Sequence, residues 1–82
     1  MNQSEVIAIL SHEIYALLDM HGLDGEESLK VLAAVATRLL CYDAPDRRTA
    51  EQWRDALSGV IYLSMSEAGS IGSARWSEAR MH

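Results

Sequence analysis

Phenylalanine is absent from this 82-residue sequence, which also has only one proline and one cysteine. Leu, Ile, Val, Ala and Met must therefore supply the volume of any core, with Trp53 and Trp76 as its largest side chains. The lone Cys41 excludes an internal disulfide. Apolar runs fall far short of the roughly 20 residues that cross a bilayer. Because no secretory signal is visible at the N-terminus either, we expect a cytoplasmic protein without a membrane partner.

Basic residues are scarce, with seven Lys and Arg against twelve Asp and Glu and a net charge of −5. Nucleic-acid binding requires clustered basic side chains, so no direct nucleic-acid partner is expected. Residues 1–44 hold seven acids against Lys30 and Arg38, whereas residues 45–82 hold five acids and five arginines. This acidity is typical of a surface that keeps a protein in solution. A DNA-mimicking role is the minor alternative.

The composition, 49% hydrophobic and 23% charged, favours a folded all-α domain. Ser4 is a candidate N-cap for a first helix over about residues 5–20. Gly22 is suited to the left-handed residue that ends a helix, and Leu23 to folding back on the last turn. Helical spacing predicts one apolar face, formed by Ile7, Leu10, Ile14, Leu17 and Leu18.

A second helix is predicted to begin near Gly25, because Asp24 and Glu27 have the spacing of a capping box. It should stop before Pro45 and form an antiparallel hairpin with the first helix. Its segment 29–42 contains only two charged residues and is expected to be buried nearly all round. A short chain offers that helix few partners, so we predict a homodimer. The residues predicted to form the core or dimer contact are Leu29, Leu32, Val35, Ala36, Leu39 and Leu40.

Thr49 and Gln52 have the spacing of another capping box, which predicts a third amphipathic helix that ends before Gly69. Its apolar face consists of Trp53, Ala56, Leu57, Val60 and Ile61. The predicted organisation is a three-helix bundle over residues 1–69, followed by a C-terminal tail at 70–82. Ser73 is a candidate cap for a short helix in that tail, through which Trp76 would dock on the body or on a partner.

No residue pattern predicts catalysis or a metal site, so we expect neither an enzyme nor a cofactor. His12 and Glu13 open like the HExxH helix of zinc proteases, but Ala16 occupies the place of the second histidine. The acids around His21 lack the alternate spacing and the glycine of a calcium loop. Cys41 is interpreted as a buried structural thiol.

Glu27, Ser28 and Leu29, within GLDGEESLKVL, resemble the Asp-Ser-Leu motif of acyl carrier proteins, which are small, acidic and helical. The resemblance covers three residues, with Glu27 in place of the motif aspartate. It implies that Ser28 starts a helix and carries phosphopantetheine. A carrier, or a helical protein that binds a small apolar ligand, is therefore the alternative function.

The leading hypothesis is a small non-catalytic protein–protein interaction module that acts on another protein as a homodimer. The chain is similar in type to phage or plasmid accessory proteins that inhibit a host complex. Clustered charge and an aromatic side chain mark the candidate contacts. The predicted partner-binding residues are Asp24, Glu26, Glu27, Arg47, Arg48, Arg54 and Trp76.

Overall fold

The computed structural model describes residues 1–76, which form an all-helical chain with no strand in that range. The helices are α1 (Gln3–Met20), α2 (Gly25–Arg38) and α3 (Arg47–Ile71), and a π-helical segment, Leu39–Asp43, follows α2 directly. The chain divides into two compact units, 1–37 and 38–82. The predicted all-α class is confirmed. No described helix is long and apolar enough to cross a membrane.

In the first unit, Asn2 starts α1, because its side-chain oxygen accepts a hydrogen bond of 2.9 Å from the Glu5 amide. The Asn2 side-chain amide also donates to the Glu5 carboxylate at 3.1 Å. The prediction of Ser4 as the cap is therefore wrong, and Ser4 lies inside the first turn. Asn2 and Glu5 have the same i, i+3 spacing as a capping box, which is the signal that indicates the true start.

The end of α1 and the start of α2 follow the sequence prediction closely. Gly22 has a φ of 72°, and the Leu23 amide donates to the Leu18 carbonyl at 3.3 Å, which closes the last turn of α1. Asp24 accepts from the Glu27 amide at 2.8 Å, while Glu27 accepts from the Asp24 amide at 3.1 Å. This reciprocal pair confirms the predicted capping box. Contacts between residues far apart in sequence are few, so the antiparallel packing of a hairpin stays a prediction.

The second unit opens with the π-helical segment, which packs against α3. Ala44, before Pro45, is extended at ψ 135° and ends the helical run, as predicted. Asp46 then caps α3 by accepting a 2.7 Å hydrogen bond from the Thr49 amide. The prediction of Thr49 as the cap is wrong, because Asp46 lies three residues earlier and supplies a stronger acceptor.

Helix α3 continues through Ile71, so the prediction that it ends before Gly69 is also wrong. The residue that adopts the left-handed conformation is Gly72, with a φ of 78°. The Ser73 amide donates to the Ala68 carbonyl at 3.0 Å, and its hydroxyl donates to the same oxygen at 3.4 Å. Ser73 therefore closes α3 rather than opening a new helix. Residues 77–82, the rest of the predicted docking helix, lie outside the described residues.

Candidate interaction surface

The most prominent surface of the first unit is an apolar stripe along α1. It is formed by Ile7, Leu10, Ile14 and Leu17, whose side chains are 43–56% exposed. None of the residues that the structure describes is fully buried in the single chain. The apolar residues of α1 thus lie on one face, as the sequence predicts, but this face is exposed to solvent and does not pack on a core.

The second apolar stripe lies on α2 and the π-helical segment, where the sequence predicts burial nearly all round. That prediction is wrong for the single chain, because Leu29 is 66% and Tyr42 is 81% exposed. Within the first unit, residues of α1 and α2 line a common cleft at the turn, and contacts between the two helices are few. The predicted core residues divide into exposed Leu29, Leu32, Val35 and Leu39 and half-buried Ala36 and Leu40.

An apolar cleft of about 400 Å³ lies at the α1–α2 turn in the first unit. Asp19 and Asp24 add carboxylates to its lining, and Ser28 is half-buried within it. The other lining side chains are those of Tyr15, Leu18, Leu23, Leu29 and Leu32. Because Ser28 follows three residues of helix, its amide is already bonded to the Asp24 carbonyl at 2.9 Å.

The acidic turn at this end of the first unit consists of Asp19, Asp24, Glu26 and Glu27. Asp24 and Glu27 cap α2, so one oxygen of each carboxylate is already occupied. Within the described part of the chain, no hydrogen bond or ion pair involves the side chain of Glu26. The Asp19 carboxylate likewise has no such partner within those residues, so Glu26 and Asp19 are the acids of this turn whose charges are available to a partner.

In the second unit, the predicted arginine patch begins in the first turns of α3. Arg47 pairs with Glu51 at 3.2 Å and Arg54 with Asp55 at 3.1 Å, both on the exposed helix surface. Within residues 1–76, no carboxylate pairs with Arg48. Such exposed pairs contribute about 0–1 kcal/mol each. The patch therefore keeps one uncompensated cation, Arg48.

Trp76 lies across the last turns of α3, and its docking through a short helix or on a partner stays a prediction. A Cβ placed on Gly69 would be 3.1 Å from the nearest atom of the indole ring, so the glycine allows the ring to lie close. Trp76 remains 59% exposed. Together with α3 it borders a cavity of about 610 Å³, which is lined by Tyr62, Met65, Ser66, Gly69 and Ser70.

Cys41 is exposed on the π-helical segment, so its interpretation as a buried thiol is wrong. It lines a cavity of about 440 Å³ beside Pro45 and the start of α3. In the same segment Leu40 is half-buried and lines a cavity together with Ala50, while Cys41 is exposed. Among the described residues, no group of His, Cys, Asp and Glu side chains has the geometry of a metal site.

Asp46 has a pKa below that of an ordinary aspartate, because its carboxylate accepts hydrogen bonds from the backbone and side chain of Thr49. This perturbation belongs to the helix cap and marks no catalytic group. No protein-family model, curated protein or solved structure matches the chain. The function has to be argued from the surfaces alone.

Proposed function

We propose that the protein is a non-catalytic protein–protein interaction module that works as a homodimer and binds another protein. The observation that carries this proposal is the combination of 49% hydrophobic residues with the absence of any fully buried residue among residues 1–76. Burying an aliphatic side chain contributes about 1.5–3 kcal/mol. Several such side chains on each helix provide a large free energy that association with another chain can recover.

The dimer and the predicted three-helix bundle are two parts of the same proposal. Chains of this size bury only about 60% of their unfolded surface even when compact, so they have little stability to spare. A second copy supplies the apolar neighbours that α1, α2 and α3 need, and closed two-fold dimers are the commonest assemblies. The exposed α2 surface supports this proposal because it is apolar: a solvated helix would carry charged side chains there.

The second partner in the proposal is a different protein, contacted through charge. The candidate contacts are the acidic turn, the arginine patch and Trp76, which all lie on exposed surfaces. Charged side chains at the rim of an interface accelerate and orient association, and Arg and Trp are enriched among residues that dominate binding. An accessory protein that inhibits a larger complex is the type of function that fits such a small chain.

The alternative function is a carrier or apolar-ligand protein, which the cleft at the α1–α2 turn favours. A volume of about 400 Å³ is within the range of small-molecule sites. Ser28 lies in this cleft and is half-buried, whereas a serine that receives phosphopantetheine must be reached by a modifying enzyme. Binding of a small apolar molecule is therefore better supported here than covalent loading of Ser28.

Native mass spectrometry of the protein purified from its own host tests these functions together. We expect twice the chain mass, with no adduct on Ser28 and no co-purifying small molecule. A phosphopantetheine adduct on Ser28 would support the carrier alternative instead. A bound small molecule that is absent from the Leu32→Asp variant, which places a charge in the cleft, would support the apolar-ligand alternative. A bare monomer at every concentration would contradict the dimer.

A further inference from the structure

The apolar stripe of α1 has the spacing of a coiled-coil seam. Ile7, Leu10, Ile14 and Leu17 are separated by three, four and three residues, the alternation that keeps side chains on one line of a helix. Isoleucine occupies one set of seam positions and leucine the other. All four are about half exposed, and none faces a partner helix closely enough to be buried.

Most charged residues of α1 lie away from this seam, whereas Ser4, Ser11 and Glu13 flank it and Gln3 lies in line with it. Glu5, His12 and Asp19 follow one another at seven-residue intervals, and each occupies the outermost position relative to the seam. The seam itself contains no charge, and the flanking positions contain only one charged residue, Glu13. This segregation is typical of a helix that pairs with another helix along its full length.

We infer that the seam of α1 packs, in antiparallel orientation, against α1 of a second copy of this chain. The inference rests on the proposed homodimer and identifies its contact surface. With a two-fold axis at the level of His12, Ile7 meets Leu17 of the second copy, and Leu10 meets Ile14 of the second copy. Because the sets exchange across the axis, all four layers combine one isoleucine with one leucine, and the surface is self-complementary.

The orientation follows from charge. The acidic turn lies at the C-terminal end of α1, and a parallel pair would bring two such turns together. In the antiparallel pair each acidic turn lies beside the N-terminal end of the other α1, where the helix dipole is positive and Glu5 is the one acid of the first turn. An 18-residue helix separates the two turns by roughly 27 Å, well beyond the Debye length in physiological salt of about 8 Å.

Ile14→Asp and Ile9→Asp form a matched pair of variants that test the seam. Both isoleucines lie in α1 and are 43% exposed, but only Ile14 belongs to the seam. We expect Ile14→Asp to raise the dimer dissociation constant at least 100-fold, measured by sedimentation equilibrium, while Ile9→Asp stays close to wild type. Circular dichroism checks that both variants keep their helices. A helical Ile14→Asp variant that dimerises like wild type would overturn the inference.

Disulfide pairing tests the orientation. In a Cys41→Ser background, Leu10→Cys and Ile14→Cys chains are mixed as reduced proteins and then oxidised. An antiparallel seam brings position 10 next to position 14 of the other copy, so mixed dimers should dominate; a parallel seam would yield each variant linked to itself. If the wild type is dimeric, but Ile14→Asp does not weaken the dimer and Leu10→Cys does not pair with Ile14→Cys, only this inference fails. A monomeric wild type would also remove the proposed dimer.

Discussion

The two units of the chain differ in charge and in how regularly their helices are bounded. Residues 1–37 hold six carboxylates against Lys30 alone, whereas residues 38–82 hold equal numbers of acids and arginines. The first unit contains two α-helices joined by a short turn, and a capping box begins the second of them. The second unit contains a π-helical turn and a 25-residue α-helix. Their common property is an uncovered apolar surface.

In the proposed function, the apolar surface and the charge have separate roles. Both units leave their apolar faces uncovered, and neither contains a fully buried side chain among the described residues. Only the first unit carries a net charge, which concentrates at its turn. We therefore expect substitutions in apolar stripes to alter the oligomeric state in either unit, and charge substitutions to act differently in the two units.

The largest expected effect that separates the units comes from charge reversal at one unpaired side chain in each patch. Glu26→Lys in the first unit and Arg48→Glu in the second remove no hydrogen bond or ion pair within residues 1–76. If both patches contact the same partner protein, each reversal should weaken its binding about tenfold, or about 1.4 kcal/mol. Calorimetry at low and high salt measures the effect, with a partner protein isolated from the host by pull-down with the wild-type chain.

Glu67→Lys is the control for Glu26→Lys, since it makes the same change of charge but lies outside both patches. It should bind as wild type does. Wild-type binding by Glu26→Lys would exclude the acidic turn as a contact, and wild-type binding by Arg48→Glu would exclude the arginine patch. If one reversal weakens partner binding more than the other, the unit that contains it makes the larger contribution to the contact.

Local signals determine how much of this structure the sequence predicts. Capping by Asp24 and Glu27, the turn at Gly22 and the stop at Pro45 each depend on residues close together in the chain, and all three predictions are confirmed. The sequence predicts the starts of α1 and α3 two or more residues too late. Ser4 and Thr49 are residue types that often cap helices, but Asn2 and Asp46, which lie earlier in the chain, make the capping hydrogen bonds.

The remaining errors concern burial, which local patterns do not determine. An apolar stripe predicts that a surface will be covered but does not identify what covers it. The stripes of α1 and α2 are present where the spacing predicts them, yet both are exposed in the single chain. Cys41 lies in the π-helical turn after Arg38 and is exposed, as are most of the described residues. No residue pattern in the sequence specifies that turn.

A pH titration should distinguish the caps of the two units. Hydrogen bonds from Thr49 lower the pKa of Asp46, so the folded state binds its proton less readily than the unfolded state. The resulting stabilisation is present above the unfolded pKa of about 3.9 and is lost as the pH falls through the lower, folded pKa. Protonation should therefore loosen the first turn of α3 below about pH 4.

The amide resonance of Thr49, followed by NMR between pH 6 and 2 in roughly half-unit steps, reports this loss directly, because that amide donates to Asp46. Asp46→Asn keeps a good cap without the titratable group and should flatten the profile. Asp24→Asn is the matched variant in the first unit and should leave the Thr49 profile unchanged. A profile that Asp46→Asn leaves unaltered would assign the titration to another acid.

The smallest expected effects come from two glycines of α3 that differ only in their surroundings. Gly59→Ala meets no atom within 4 Å, so it should stabilise the helix by the propensity difference of about 1 kcal/mol. Gly69→Ala gains the same propensity, but its new Cβ would lie 3.1 Å from the Trp76 ring. The ring has to shift by a few tenths of an ångström, and this shift offsets part of the gain.

Thermal unfolding and tryptophan emission together measure this difference, in a Trp53→Phe background that leaves Trp76 as the single reporter. We expect Gly59→Ala to raise the melting temperature without altering the emission, and Gly69→Ala to raise it less while shifting the emission to the red. Equal melting temperatures and identical spectra would mean that Trp76 does not lie on Gly69 in solution. In that case the Trp76 side chain, in the second unit, is free to contact a partner protein. The apolar stripe of α1 in the first unit is exposed in the same way.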